Sequence, residues 1–293
     1  MGIPPSYCPA CATVFPDFVP GGAATTRPRA LCPHCGSLER HRVLALVLEG
    51  LVPMMAAARV VLDIAPTPAL TPILSRDTGG LYLPCDIDPS ADKRRVVLQA
   101  DLTRLPLPDD SVDVIMCTQV LEHVPDDLAA MREIKRVLSP TGIAFVNIPY
   151  RPGTTTDEDP SAPPEERIRR FGQIDHVRFY GDDFDDRLRA AGLGFSRITG
   201  PELVGPELAQ RIGLVDPLGK VGAEWFWFVW KDPERTAPGL PRFSSAAAFA
   251  TLSSDVAGSL RGALLPWARQ HWPGTVVRTA RRVVRRLRRI VSS

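Results

Sequence analysis

The 293-residue sequence predicts an α/β protein on a doubly wound, mainly parallel sheet, with a small cysteine module before it and a basic tail after it. Three observations carry that expectation. The stretch Asp101–Pro149 reads as an acidic turn, a buried strand, a loop, a helix and a second buried strand. That order is one βαβ unit, and open parallel sheets bind ligands beyond the carboxyl ends of their strands. Two Cys-x-x-Cys pairs, Cys8/Cys11 and Cys32/Cys35, are separated by twenty residues. From Asp232 onward the composition turns to Pro, Ser, Ala and Arg. The expected boundaries are therefore 1–36 for the cysteine module, 37–232 for the α/β domain and 233–293 for a linker and tail.

Taken in order, each Cys-x-x-Cys pair can present two thiolates on a tight knuckle, and two knuckles complete a tetrahedral zinc site with no open position. Cys8, Cys11, Cys32 and Cys35 are the expected ligands, with His34 a spare donor. Only Arg27 and Arg29 supply positive charge to this module, which counts against RNA reading by it. Ser37–Leu51 is expected to be a helix burying Leu44, Leu48 and Leu51. Arg59–Ala65, Leu81–Cys85 and Arg95–Gln99 read as the first three strands of the sheet, and Val112–Met116 as the fourth. Asp126 or Asp127 can cap a helix whose Leu128, Met131, Ile134 and Leu138 recur at spacings of three and four. Ser139-Pro140-Thr141-Gly142 is expected to stop it before the strand Ile143–Ile148. A long polar insertion, 151–180, precedes a helix at Asp182–Ala191 and a strand at Phe195–Thr199. Trp225–Trp230 closes the domain as the last strand of an antiparallel hairpin, with Trp225, Trp227 and Val229 alternating onto one face.

Bulk properties are those of a soluble protein, with 44% hydrophobic and 23% charged residues. No run approaches the length of a membrane span, no signal peptide is evident, and six cysteines, four of them in metal-ligand spacing, suit metal binding and free thiols in a reducing compartment. Cytoplasmic residence is the expectation. The net charge of +2 conceals an asymmetry, because nine arginines and no acid follow Asp255, leaving residues 1–255 with 26 basic against 33 acidic groups. Val277, Ala280, Val284, Leu287 and Val291 recur at helical spacing between arginine pairs, so 276–291 reads as a basic amphipathic helix. Peripheral docking on anionic lipid is the favoured use, ahead of a solvated tail and a phosphate-binding arm for RNA. Nothing in the chain indicates an oligomeric state.

The segments ADLTRLPLPDDSVDVI, VLEHVPD and EIKRVLSPTG resemble class I S-adenosylmethionine-dependent methyltransferases of the type 11-like kind. CGSLERHR and FGQIDHVR resemble a bacterial group of these enzymes that carries an N-terminal four-cysteine zinc ribbon. The resemblance implies a Rossmann-like, seven-stranded sheet with an antiparallel last strand, and S-adenosylmethionine as cofactor beside structural zinc. It places the methionine part of the cofactor by Asp63 and Ala65, although the loop Ala65-Pro66-Thr67-Pro68-Ala69 lacks the usual glycines. Proline there removes donors and fixes φ, so the loop is expected to be a variant that still holds the cofactor.

By the same resemblance Asp86, with Asp88 in reserve, accepts from the ribose hydroxyls, and Asp101 accepts from the adenine amino group while Leu102 donates through its backbone. Thr118 and Gln119 are expected to line the pocket, and His123 to be structural. Cys85 and Cys117 lack cationic neighbours in sequence and are expected to be inert.

A methyl transfer to a hydroxyl needs a proton acceptor at the nucleophile, and His176 in the insertion is the candidate general base. Asp175, Arg178 and Tyr180 are candidate substrate contacts. Asp175 is not expected to form a literal dyad with His176, since adjacent residues of an extended segment diverge. The expected activity is O-methylation of a small-molecule or glycan acceptor. An RNA methyltransferase, which would need a continuous basic surface, and a catalytically silent scaffold with its pocket blocked by Pro66 or Pro68 are the alternatives.

Overall fold

The computed structural model describes residues 6–22, 26–88, 90, 96–214 and 224–235. The expected tail helix at 276–291 lies outside the described residues, as does Arg95 at the start of the expected third strand.

The amino-terminal module is two short hairpins. β1 (Ser6–Cys8) pairs antiparallel with β2 (Thr13–Phe15), and β3 (Val19–Gly21) pairs antiparallel with β4 (Arg27–Leu31). Its small interior is Cys8, Phe15, Phe18 and Cys32, too few apolar side chains to close a core alone. The helix α1 (Glu39–Gly50) follows, buried along most of its length, and α2 (Val52–Ala57) continues from it.

The domain sheet has seven strands, as expected, in the order β12–β13–β9–β8–β5–β6–β7. Its strands are β5 (Val60–Ile64), β6 (Leu81–Asp86), β7 (Leu98–Gln99), β8 (Val112–Thr118), β9 (Leu138–Asn147), β12 (Gly194–Thr199) and β13 (Trp225–Trp230). β7, β6, β5, β8 and β9 run parallel, whereas β13 is antiparallel to both β9 and β12. Alternation along each strand then builds two cores. Val61, Val114, Met116, Phe145 and Phe228 face α1, α2, α7 (Gly200–Val204) and α8 (Pro206–Arg211). Leu62, Ile115, Cys117, Val146 and Trp227 face α4 (Asp127–Val137) and α6 (Phe184–Ala190). The helix α3 (Thr71–Asp77) crosses from β5 to β6 over the first face. The expected sharing of one face by Trp225, Trp227 and Val229 is what the packing shows.

Three local expectations change. The third strand is only Leu98–Gln99 among the described residues. Ser139–Gly142 does not form a free loop, because β9 begins at Leu138 directly after α4 and the ladder to β8 skips from Leu138 to Ile143. Ser139 Oγ donates to Asp113 there (2.9 Å), and a Cβ on Gly142 would sit 2.8 Å from the Leu138 side chain and 3.0 Å from the Val112 carbonyl oxygen, so the bulge is closely packed around this glycine. The insertion is also structured. β10 (Asp157–Glu158) pairs with β11 (Arg178–Phe179), and α5 (Pro164–Phe171) ends on left-handed Gly172.

Candidate active site and cysteine centre

The carboxyl ends of β5, β6 and β7 meet the turn after β8 around a cleft of about 370 Å³. Ala65, Asp86, Asp101 and Leu102 lie on its wall, as do His123 and Asp126. The volume is within the range of small-molecule sites. Neither Pro66 nor Pro68 is among the wall residues. Ala65 adopts φ +52°, the left-handed turn that glycine makes more cheaply, and its N–H donates to the Cys85 carbonyl (2.8 Å). The glycine-free loop therefore still turns away from the strand end without entering the cleft.

Asp86 is buried, and its Oδ1 accepts the Asp88 N–H (3.1 Å). Asp101 Oδ1 accepts from both the N–H and the hydroxyl of Thr103 (2.8 Å each), which fixes its carboxylate at the rim. Asp63, Asp88, Thr118 and Gln119 are not on the wall. Asp63 instead accepts from the Tyr82 hydroxyl (2.6 Å), tying β5 to β6. Gln119 has φ +57° and bonds Asn147 through both its N–H (2.7 Å) and its side chain (3.1 Å). Asp63 and Gln119 thus tie together the strand ends beside the cleft. Three carboxylates on the wall, at 86, 101 and 126, suit a ligand bearing a sulfonium and an ammonium.

The substrate side differs from the sequence reading. His123, expected to be structural, is the imidazole on the cleft wall. Its Nδ1 lies 3.2 Å from Asp175 Oδ2, and its ring meets that of His176 edge-on at 4.6 Å. His176 is 3% exposed and stands behind it, with Nδ1–H donating to the Phe171 carbonyl (3.0 Å) and Nε2 buried without a partner. Asp175 and His176 form no dyad with each other, and both meet His123 instead. Beneath them Glu122 is fully buried, and neither carboxylate oxygen has a hydrogen-bond partner. Burial pushes the Glu122 carboxyl up to about 8, and burial together with the neighbouring His123 pushes His176 down to about 4. Glu122 falls within the VLEHVPD segment that carries the resemblance, but sequence alone assigned it no role, since that depends on burial that only the fold supplies.

Arg178 and Tyr180 were expected to touch substrate, but both are turned inward. Arg178 is 1% exposed and donates to the carbonyls of Leu121 (2.8 Å), Val124 and Pro125 (2.8 Å) and to Glu158 (2.7 Å). Tyr180 donates to Asp127 (2.9 Å) and lies 3.2 Å from the Leu121 carbonyl. A fork of five donors is suited to gathering converging carbonyls. These two side chains clamp the insertion to the 121–127 segment that forms the His123 side of the cleft.

In the module, the Cys8–Cys35 and Cys11–Cys32 sulfurs are 3.7 and 3.9 Å apart, and all four lie within 4.8 Å of one another. Zinc–sulfur bonds of about 2.3 Å in a tetrahedron give sulfur spacings of about 3.8 Å, so the donor set fits that ion. His34 packs on Phe15 instead. Cys85 is buried beside Asp63 and Asp86, and its thiol is pushed up to about 12 by that burial, which makes it unreactive as expected.

Fold and cleft together define a Rossmann-like α/β domain with a ligand-sized cleft at the carboxyl ends of its parallel strands. Residues 62–146 match the family described as "Methyltransferase domain". A Mycobacterium tuberculosis protein named as a probable S-adenosylmethionine-dependent methyltransferase is 46% identical over 68 residues, which are 22% of this chain and 25% of that one. The 27-O-demethylrifamycin SV methyltransferase of Amycolatopsis mediterranei is 34% identical over 106 residues, 35% of this chain and 36% of the relative. The chain thus spans a quarter to a third of these curated relatives. A solved S-adenosylmethionine-dependent methyltransferase from Mesorhizobium loti superposes over 65% of this chain and 98% of its own, at 16% identity and a TM-score of 0.45. The family match supports S-adenosylmethionine as the cofactor.

Proposed function

We propose that the protein transfers the methyl group of S-adenosylmethionine to a hydroxyl of a small-molecule or glycan acceptor. The observation that carries this reading is the open cleft at the strand carboxyl ends, with Ala65, Asp86 and Asp101 on its wall and neither Pro66 nor Pro68 among the wall residues. Asp86 is suited to the ribose diol, and Asp101 with Leu102 to the adenine edge. The acceptor enters from the His123 side, where the cluster of Glu122, His123, Asp175 and His176 handles its proton. Once bound, the cofactor supplies an activated methyl and its own leaving group, so the chain's work is positioning and desolvation. The rifamycin relative, by its name, methylates a small molecule, which favours that acceptor class. The excess of acidic over basic groups in residues 1–255 disfavours RNA.

Zinc on Cys8, Cys11, Cys32 and Cys35 would be structural, since four thiolates leave it no open position. Cytoplasmic residence, with the 276–291 segment resting on anionic lipid, remains our reading of the sequence. Among the described residues no helix is long and apolar enough to cross a membrane. Calorimetric titration with S-adenosylmethionine and S-adenosylhomocysteine tests the central claim. Micromolar binding that Asp86→Ala weakens supports it, and no binding to folded, zinc-loaded protein overturns it in favour of a silent scaffold.

A further inference from the structure

Behind His123 on the cleft wall lie buried side chains whose unmet hydrogen-bonding capacity a proton-handling role does not by itself explain. Glu122, His123 and His176 each place a potential ligand atom within 4.8 Å of the other two. Two members are buried with unmet hydrogen-bonding capacity, namely both oxygens of Glu122 and Nε2 of His176. Orphaned buried polar atoms are costly and rare. Arg40 and Arg178 are the nearby cations whose field reaches Glu122, but neither contacts it, and Arg178 directs its guanidinium to main-chain carbonyls and Glu158.

From this geometry we infer that Glu122, His123 and His176 form a second metal site, for a divalent transition ion such as zinc or iron(II). Two imidazoles and one carboxylate are a donor set for such ions. The outer contacts agree with it. Histidine ligands usually donate their other ring N–H to a backbone carbonyl or a carboxylate. His176 does so from Nδ1 to the Phe171 carbonyl (3.0 Å), which fixes the tautomer whose Nε2 lone pair faces the cluster. His123 has Asp175 Oδ2 at 3.2 Å from Nδ1. Ligand bonds of about 2.1 Å require donor spacings of about 3.4 Å in a tetrahedron, so the three groups must draw together on binding. His123, on the cleft wall, has the room to do so. Three protein ligands leave a position for water or an acceptor oxygen. That catalytic use rests on the methyl-transfer reading, whereas binding of the ion does not.

Metal content of the full-length protein, measured by elemental mass spectrometry after dialysis, decides the matter. The expected result is two equivalents per chain, one retained by the cysteines and one lost in Glu122→Gln and in His176→Gln. Cobalt(II) added to protein that retains zinc only at the cysteines should give visible bands without thiolate charge transfer, and these should vanish in the same variants. Should either buried variant fail to fold, His123→Ala, changed at the cleft surface, gives the same reading. One equivalent in the wild type, or two in the variants, overturns the site. Calorimetry with S-adenosylmethionine on the same samples separates the two claims. Cofactor binding with a single metal refutes only the site, and two metals without cofactor binding refute only the methyl-transfer reading.

Discussion

Ala65 and Gln119, at the carboxyl ends of the neighbouring parallel strands β5 and β8, both hold left-handed backbone, at φ +52° and +57°. Strain of this kind costs on the order of 1–2 kcal/mol for a residue with a Cβ. It is retained where both chains must turn sharply at the cleft. Gln119 is held in its turn by two bonds to Asn147, and Ala65 by the Cys85 carbonyl.

The Ala65 turn predicts a graded response to side-chain shape. Ala65→Gly should leave stability equal or raise it by up to ~1 kcal/mol and preserve cofactor binding. Ala65→Val should lower stability by about 1–2 kcal/mol, because a β-branched residue is least tolerant of positive φ. Urea denaturation measures both, and a neutral valine would show that Ala65 is not strained.

Arg42 joins the cysteine module to the α/β domain. Its buried guanidinium donates to the carbonyls of Ala30 (2.8 Å) and Ser37 (2.8 Å) on the module side and of Ile212 (2.5 Å) and Gly213 (3.3 Å) on the other, and stacks over Phe18 at 3.9 Å. Lysine cannot reproduce that fork. Arg42→Lys should cost about 3 kcal/mol or more, and heating should release zinc and unfold the domain in one transition. Two separate transitions in the wild type, with zinc leaving first, would refute this coupling.

The strands, the α4 helix and the cysteine centre were legible because each rests on local pattern. Val112–Met116 is a short run apolar but for Asp113, Met131 and Ile134 keep helical spacing, and the Cys-x-x-Cys pairs have fixed spacing. Arg178 and Tyr180 were misread for an equally physical reason. Polarity within a long insertion is the same in sequence whether a side chain meets substrate or converging carbonyls, and only the 121–125 turn decides between them. His123 and His176 exchanged places for the same reason, since which imidazole faces the cleft depends on how the insertion folds back.

His41 predicts acid sensitivity. It is 6% exposed, and its Nδ1 accepts the Leu38 N–H at the start of α1 (3.2 Å). Burial, with Arg40 and Arg42 adding to it, pushes the imidazole down to about 3. The neutral ring is favoured in the fold, so its contribution is intact above the unfolded value of about 6.5 and is lost progressively as pH falls from there toward 3. Between pH 6.5 and 5.5 the loss should be roughly 1 kcal/mol. His41→Gln keeps an acceptor that does not titrate, so the stability difference between wild type and variant should shift in the variant's favour over that interval. A difference that stays constant with pH would rule His41 out.

Asp63 and Asp86 end neighbouring strands but should fail differently when changed. Asp86 is on the cleft wall, whereas Asp63 is engaged behind it by the Tyr82 hydroxyl at 2.6 Å. Removing a carboxylate that accepts from a bound diol forfeits charge-assisted hydrogen bonds of about 1.5–3 kcal/mol, or roughly 10- to 150-fold in affinity. Asp86→Ala should therefore weaken S-adenosylmethionine by that factor with little change in unfolding. Asp63→Ala strands a half-buried tyrosine hydroxyl and opens space between β5 and β6, so its main effect should be about 2 kcal/mol of stability. Asp63→Asn, which keeps an acceptor for Tyr82, should recover most of it. Calorimetry and denaturation on the three variants resolve the assignment, and an affinity loss larger for Asp63→Asn than for Asp86→Ala would reverse it.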